Sequence, residues 1–115
     1  MPQVIIELST AVDCIEAQVL HSVNRALGES GVFHLHDIKS RLYKPEYQNW
    51  NLVGDGRGDQ AFAYVKVAIM PGRSDEIKAD LAERVMTALK STLAAKNPTM
   101  QYGVEVVDLM GYLKG

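Results

Sequence analysis

The order of strand-like and helix-like segments constrains the fold of this chain most, because the same order occurs twice. Residues 2–53 show the pattern strand, helix, strand, and residues 59–113 repeat it after a glycine-rich turn. Two parallel strands need a crossover connection, for which a helix is usual and a right-handed path is the rule. We therefore predict one two-layer α+β domain over residues 1–115, in which tandem β-α-β units form a four-stranded mixed sheet with two helices on one face.

The first unit is predicted from alternating and helical spacings of apolar residues. Residues 4–8 and 37–43 have the composition of strands. The helix between them is expected to begin at a capping box of Thr10 and Asp13 and to end at the glycines of residues 28–31. Its apolar stripe is expected to contain Val12, Ile15, Val19, Leu20, Val23 and Leu27.

The second unit gives a clearer pattern. Residues 61–70 and 100–109 are the predicted strands, and Ser74 is a good N-cap for the helix between them. Two further short strands are expected at 47–52 and 112–113. The apolar stripe of the second helix is expected to contain Ile77, Leu81, Val85, Ala88, Leu89 and Leu93.

Both faces of the predicted sheet are interpreted as apolar. In the first strand we assign Val4 and Ile6 to one face, and Ile5 and Leu8 to the other. Since both helices cover the same face, the second face would expose a large apolar patch to water. An oligomer with cyclic closure is expected to bury it.

The composition excludes several classes of function. The chain has 115 residues, 47% apolar and 23% charged, which is typical of a soluble globular domain. A net charge of −2 argues against nucleic acid as a partner, since non-specific binding needs a basic surface. No apolar run has the roughly 20 residues of a membrane span, and no signal peptide is recognisable. The lone Cys14, expected to be a packing residue, fits a cytoplasmic location.

Pro2 is the first candidate for chemistry. Removal of Met1, which a small second residue favours, leaves a secondary amine directly before the first strand. An α-amine titrates at roughly 7.7–8.0, and both desolvation and nearby cations lower its pKa. A pocket with those properties would make Pro2 a general base near neutral pH.

Three basic residues are candidates for binding an anion. Arg73 precedes a helix N-terminus, where backbone N–H groups also favour anions. Lys39 and Arg41 share a strand face with Tyr43. The alternative for each of the three cations is a solvated surface position.

Aromatic and histidine residues are weaker candidates. Phe33, Tyr43 and Trp50 are possible pocket-lining residues, with core or interface packing as the alternative. His34 and His36 alternate along the chain but lack a clear third ligand, so no metal site is predicted.

Several segments resemble 5-carboxymethyl-2-hydroxymuconate isomerase in order and spacing. They are Gly31-Val32-Phe33, Ile38-Lys39-Ser40-Arg41, Asp59 to Val65 and Gly72-Arg73-Ser74. The start of the chain and the turn from Met70 to Glu76 are similar to the wider superfamily of 4-oxalocrotonate tautomerase.

The resemblance implies a tautomerase-like fold, a homotrimer and no metal or organic cofactor. It implies that Pro2 transfers the proton while Lys39, Arg41 and Arg73 hold a small anionic oxo-dicarboxylate, from homoprotocatechuate breakdown, whose double bond moves. The family has arginine where this chain has Lys39, and lysine lacks the two-pronged guanidinium. Two alternatives therefore remain: the same fold and base with another small enol or oxo-acid, or a non-enzymatic trimeric binding protein.

Overall fold

The computed structural model of the protein describes residues 1–115. Its sheet has the strand order β2-β1-β3-β4, with β1 parallel to β2, β3 parallel to β4, and β1 antiparallel to β3. This mixed sheet of two β-α-β units confirms the predicted fold class. The elements are β1 (Gln3–Leu8), α1 (Glu16–Glu29), β2 (Lys39–Tyr43), β3 (Phe62–Ile69), α2 (Asp75–Leu93) and β4 (Gln101–Asp108), with short 3₁₀ turns at Leu35–Asp37 and Gln48–Trp50.

The hydrophobic core lies between the two helices and one face of the sheet. Side chains alternate along a strand, so every second residue of β1 and β3 faces the helices. The assignment of Leu8 to the opposite face of β1 was wrong, because residues 4, 6 and 8 share one side of a strand and all three are buried. The inward side chains of these two strands are Val4, Ile6, Leu8, Ala63, Val65, Val67 and Ile69.

The other face of the sheet, which we call the open face, is covered by neither helix. Its composition corrects the expectation of a continuous apolar patch, because charged and apolar side chains are mixed on it. One row across the strands places Arg41, Ile5, Lys66 and Glu105 side by side. The residues of the open face are Gln3, Ile5, Glu7, Lys39, Arg41, Tyr43, Phe62, Tyr64, Lys66, Ala68, Gln101, Gly103, Glu105 and Val107.

Helix α1 begins at Glu16, six residues after the predicted cap at Thr10. The predicted capping box is wrong, because Thr10 and Asp13 form hydrogen bonds with distant residues instead of with each other. The Asp13 N–H donates to the side-chain oxygen of Asn97 at 2.8 Å, and the Asn97 amide nitrogen donates to the Asp13 carbonyl at 2.8 Å. The Thr10 hydroxyl donates to the Pro45 carbonyl at 3.0 Å. Residues 10–15 are therefore held as a loop.

Helix α2 begins as predicted, since the Ser74 hydroxyl accepts the Ile77 N–H at 3.2 Å. The two short additional strands are wrong. Residues 47–52 contain the second 3₁₀ turn, in which the rings of Tyr47 and Trp50 meet edge to face at 4.8 Å. The tail after β4 is irregular. Neither α1 nor α2 is long and apolar enough to cross a membrane.

The topology brings four chain segments to one end of the sheet, which we call the Pro2 end. Gln3 of β1 is paired with Lys39 at the start of β2 and with Ala68 near the end of β3. Ile69 is paired with Asp108 at the end of β4. The beginnings of β1 and β2 and the ends of β3 and β4 therefore lie together.

Candidate active site at the Pro2 end

Pro2 is buried and anchored at the start of the central strand β1. Its carbonyl oxygen accepts the backbone N–H of Lys39 at 3.1 Å, which continues the ladder between β1 and β2. The next residue, Gln3, is paired with β2 on one side and with β3 on the other. Pro2 therefore does not fray like an ordinary chain terminus. The structure therefore gives the Pro2 nitrogen a fixed position.

A cleft of about 160 Å³ is lined in part by Met1, the residue that precedes Pro2. Arg73 forms part of its wall, and one guanidinium nitrogen lies 3.5 Å from the Val32 carbonyl oxygen. The Lys39 ammonium lies 3.2 Å from the Met1 sulfur. The cleft is lined by Met1, Val32, Phe33, His34, Asp37, Met70 and Arg73.

Arg41 lies two residues further along β2, on the open face, and its guanidinium points back toward the Pro2 end. One nitrogen donates to the carbonyl oxygens of Val4 and Lys39, each at 3.3 Å. The other donates to the side-chain oxygen of Gln3 at 2.7 Å. Three cationic residues, Lys39, Arg41 and Arg73, therefore surround the start of β1.

Tyr43 and Trp50 lie together, but at the opposite end of the sheet. They line a cleft of about 520 Å³ that also contacts Glu7 and Phe62. Tyr43 is paired with Glu7, five positions after Pro2, which is roughly 16 Å along an extended strand. Of the aromatic candidates, only Phe33 lines the cleft at the Pro2 end.

The sequence did not indicate all the residues of the cleft. Asp37 and Met70 each lie just outside a strand, and only the pairing of β1 with β2 and β3 brings them together. His34 lines the cleft too, but no group of three or more His, Cys, Asp or Glu side chains is placed to hold a metal ion. Burial, and secondarily Glu16, raises the pKa of the Cys14 thiol, which makes Cys14 a poor nucleophile.

The arrangement favours a small anion beside Pro2. Arg73 lines the cleft with the apolar side chains of Phe33, Val32 and Met70 and with the Asp37 carboxylate, and Lys39 and Arg73 are both exposed to solvent. Arg73 also precedes the N-terminus of α2, whose free N–H groups favour negative charge.

Solved structures with the same architecture show which fold this protein has. A 5-carboxymethyl-2-hydroxymuconate isomerase from Deinococcus radiodurans R1 has a TM-score of 0.84 at 20% identity, covering 99% of this chain and 88% of that chain. A 5-carboxymethyl-2-hydroxymuconate delta-isomerase has a TM-score of 0.85 at 19% identity, covering 100% and 87%. A fused 4-OT wild-type symmetric trimer has a TM-score of 0.72 at 19% identity, covering 98% and 93%. The chain thus has the 4-OT-like tautomerase fold.

The family follows from the sequence itself. The family model of 5-carboxymethyl-2-hydroxymuconate isomerase matches residues 2–109, nearly the whole chain. The protein belongs to the 5-carboxymethyl-2-hydroxymuconate isomerase family and is an isomerase, which confirms the resemblance stated above. A sequence search of curated proteins gave no match.

Proposed function

We propose that removal of Met1 frees the Pro2 amine, which then moves a double bond in an unsaturated oxo-dicarboxylate resembling 5-carboxymethyl-2-hydroxymuconate. The observation that carries this proposal is the anchoring of Pro2 on β2, at the end of the sheet where Lys39, Arg41 and Arg73 also lie. These positive charges disfavour a protonated amine, so they lower its pKa and leave more of it as a base.

The reaction needs only one group that carries a proton. In a 2-hydroxymuconate the neutral Pro2 nitrogen takes the proton of the hydroxyl group, the C–O bond becomes a carbonyl, and the conjugated double bonds shift along the carbon chain. The protonated nitrogen then returns the proton to the far carbon of that conjugated system. Charge that builds up on oxygen in between is stabilised by fixed cations nearby.

Lys39, Arg73 and Arg41 are proposed to supply that stabilisation and to hold the carboxylates. The Lys39 ammonium lies within 3.2 Å of the Met1 sulfur, so an acceptor atom in the space that Met1 leaves would be within reach of it. Arg73 forms the wall of the same cleft, and Phe33 provides an apolar surface for the conjugated carbons. Tyr43 and Trp50 would contribute only through a neighbouring protomer.

A homotrimer is part of this proposal. The open face of the sheet is covered by neither helix, and the fused 4-OT structure with the same fold is described as a symmetric trimer. Cyclic association would bury the open faces together. A cytoplasmic location, in which the lone Cys14 stays reduced, fits this enzyme and its place in aromatic-compound breakdown.

The decisive experiment joins intact-mass measurement with one substitution. We expect a mass that lacks Met1, and we expect Pro2→Ala to slow isomerisation of 5-carboxymethyl-2-hydroxymuconate by about 10²-fold or more, within the range for loss of a general base. Alanine leaves a primary amine in place, so the comparison isolates the ring nitrogen.

Pro98→Ala is the matched control, because Pro98 is exposed and precedes β4 at the other end of the sheet. It should leave turnover unchanged. Retention of Met1 in the active protein, or full activity of Pro2→Ala, would refute the proposal, since an amide nitrogen cannot act as the base.

A further inference from the structure

A chain of three side chains crosses the open face beside Pro2. The Gln3 side-chain oxygen accepts from the Arg41 guanidinium at 2.7 Å, and the Gln3 amide nitrogen donates to the Tyr112 hydroxyl at 3.0 Å. Gln3 follows Pro2 directly, whereas Tyr112 belongs to the C-terminal tail, 109 residues away in the sequence. The tail is therefore tied to the first strand next to the proposed base.

The path of the tail explains how Tyr112 reaches Gln3. Strand β4 ends at the Pro2 end, and the chain then reverses at Gly111, whose φ of 61° is in the left-handed region that favours glycine. In the row of the sheet that contains Gln3, Ala68 and Val107 separate Gln3 from the edge at β4. Tyr112 thus reaches back over two strands of the open face.

The chemistry of the three side chains determines which way the Gln3 amide is oriented. A guanidinium is only a donor, so the Gln3 oxygen must face Arg41. The Gln3 amide nitrogen then faces the opposite way, toward the tail, where the Tyr112 hydroxyl accepts from it. Rotating the Gln3 amide by a half turn would place two donors face to face and break the bond to Arg41, whereas the Tyr112 hydroxyl would then donate to the amide oxygen.

We propose that Gln3 and Tyr112 are positioning residues, which hold the Arg41 guanidinium at the Pro2 end as a subsite for one carboxylate of the substrate. Tyr112 acts through the Gln3 amide, whose nitrogen it holds away from Arg41. The inference rests on the proposed function, because that function supplies the dicarboxylate. Neither residue is required to exchange a proton with the substrate.

Tyr112→Phe tests this inference by removing a single hydroxyl. Without its partner at the Gln3 amide, Arg41 loses part of its orientation, and we expect KM to rise about fivefold with kcat unchanged, the effect of one hydrogen bond. Hydrogen exchange of the backbone amides of residues 109–115 should also become faster. Tyr47→Phe is the control, because Tyr47 is exposed and its ring packs against Trp50, away from the Pro2 end.

Gln3→Glu tests whether Gln3 positions Arg41 for substrate binding or only anchors the C-terminal tail. A carboxylate still accepts from Arg41 and from a Tyr112 hydroxyl, so the tail should remain protected from exchange. The new carboxylate also neutralises the charge of Arg41, which weakens its attraction for the substrate. We therefore expect KM to rise at least as much as in Tyr112→Phe. A Gln3→Glu variant with wild-type KM would overturn the inference, because Arg41 would then not bind the substrate.

The inference also fails if Tyr112→Phe has wild-type KM and wild-type tail exchange, or if kcat alone decreases. These outcomes differ from failure of the proposed function, which is seen as full activity of Pro2→Ala. In that case the exchange measurement still decides whether Tyr112 ties the tail to Gln3.

Discussion

Tyr64 and Glu105 show how single side chains shape the open face. The Tyr64 hydroxyl donates to the Glu105 carboxylate on the neighbouring strand β4. Directly opposite Tyr64 lies Gly103, where an added Cβ would be 3.6 Å from the tyrosine ring, so the ring packs close to the glycine. The hydrogen bond to Glu105 is the main cause that raises the pKa of Tyr64 to about 12, followed by desolvation and the negative charge.

This shift predicts a loss of stability at high pH. The folded-state pKa of Tyr64 is about 12 against 10.0 for the free side chain, so its stabilising contribution is complete below pH 10 and is lost as pH rises through 12. Denaturant unfolding between these pH values should show a smaller decrease for Tyr64→Phe than for wild type. In a pH titration followed by tyrosinate absorbance, the step near pH 12 should be missing from the same variant. Equal pH profiles for the two proteins would contradict the assignment.

Among the elements, helix α2 carries the clearest local signal and also supports the candidate site. Ser74 is its N-cap, and Asp75 and Glu76 occupy the first turn, where they interact favourably with the helix dipole. Arg73 precedes the cap directly, so the same turn that starts the helix fixes the backbone from which Arg73 reaches the cleft.

Ser74→Ala is expected to lower the free energy of unfolding by about 1 kcal/mol, the usual cost of losing an N-cap hydroxyl. The measurement is equilibrium denaturation at neutral pH. Ser91→Ala is the matched control, because Ser91 is exposed inside the same helix and its hydroxyl only bonds back to the Ala88 carbonyl. A loss in Ser91→Ala as large as in Ser74→Ala would show that the cap is not the cause.

At the scale of the whole molecule, we expect association of protomers to depend on the mixture of charged and apolar side chains on the open face. Ile5 lies in its central row between Arg41 and Lys66, and Glu105 follows on the edge strand. A face with apolar residues and charges of both signs suits association with other copies of itself, since opposite charges pair as the apolar side chains are buried. This is the surface through which we expect the protomers to associate.

Sedimentation equilibrium tests this association. Wild type should behave as one species of three times the 12.7 kDa of a single chain. Ile5→Asp places a carboxylate in the buried interface and should give monomers. Ile15→Asp is the control, because Ile15 is 50% exposed and caps α1 away from the sheet, so this variant should stay trimeric. Monomeric wild type would rule out the trimer.

The sequence predicted those features that depend on neighbouring residues. The alternation in residues 61–70, the apolar stripe of α2 and the Ser74 cap are local patterns, and the structure has each of them. It also indicated the doubled β-α-β order and, through it, the sheet topology. Pro2, Lys39, Phe33 and Arg73 meet at one end of that sheet because each lies at or near the end of a strand or helix.

The tertiary structure alone decided what depends on distant residues. Asn97 binds Asp13 across 84 positions and so delays the start of α1, and the sheet register places Tyr43 far from Pro2. Tyr112 meets Gln3 because the last strand ends where the first begins. Periodicity tells which face a side chain occupies, since that follows from backbone geometry over a few residues. Which side chains share a site depends instead on how the strands pair, and no local pattern contains that information.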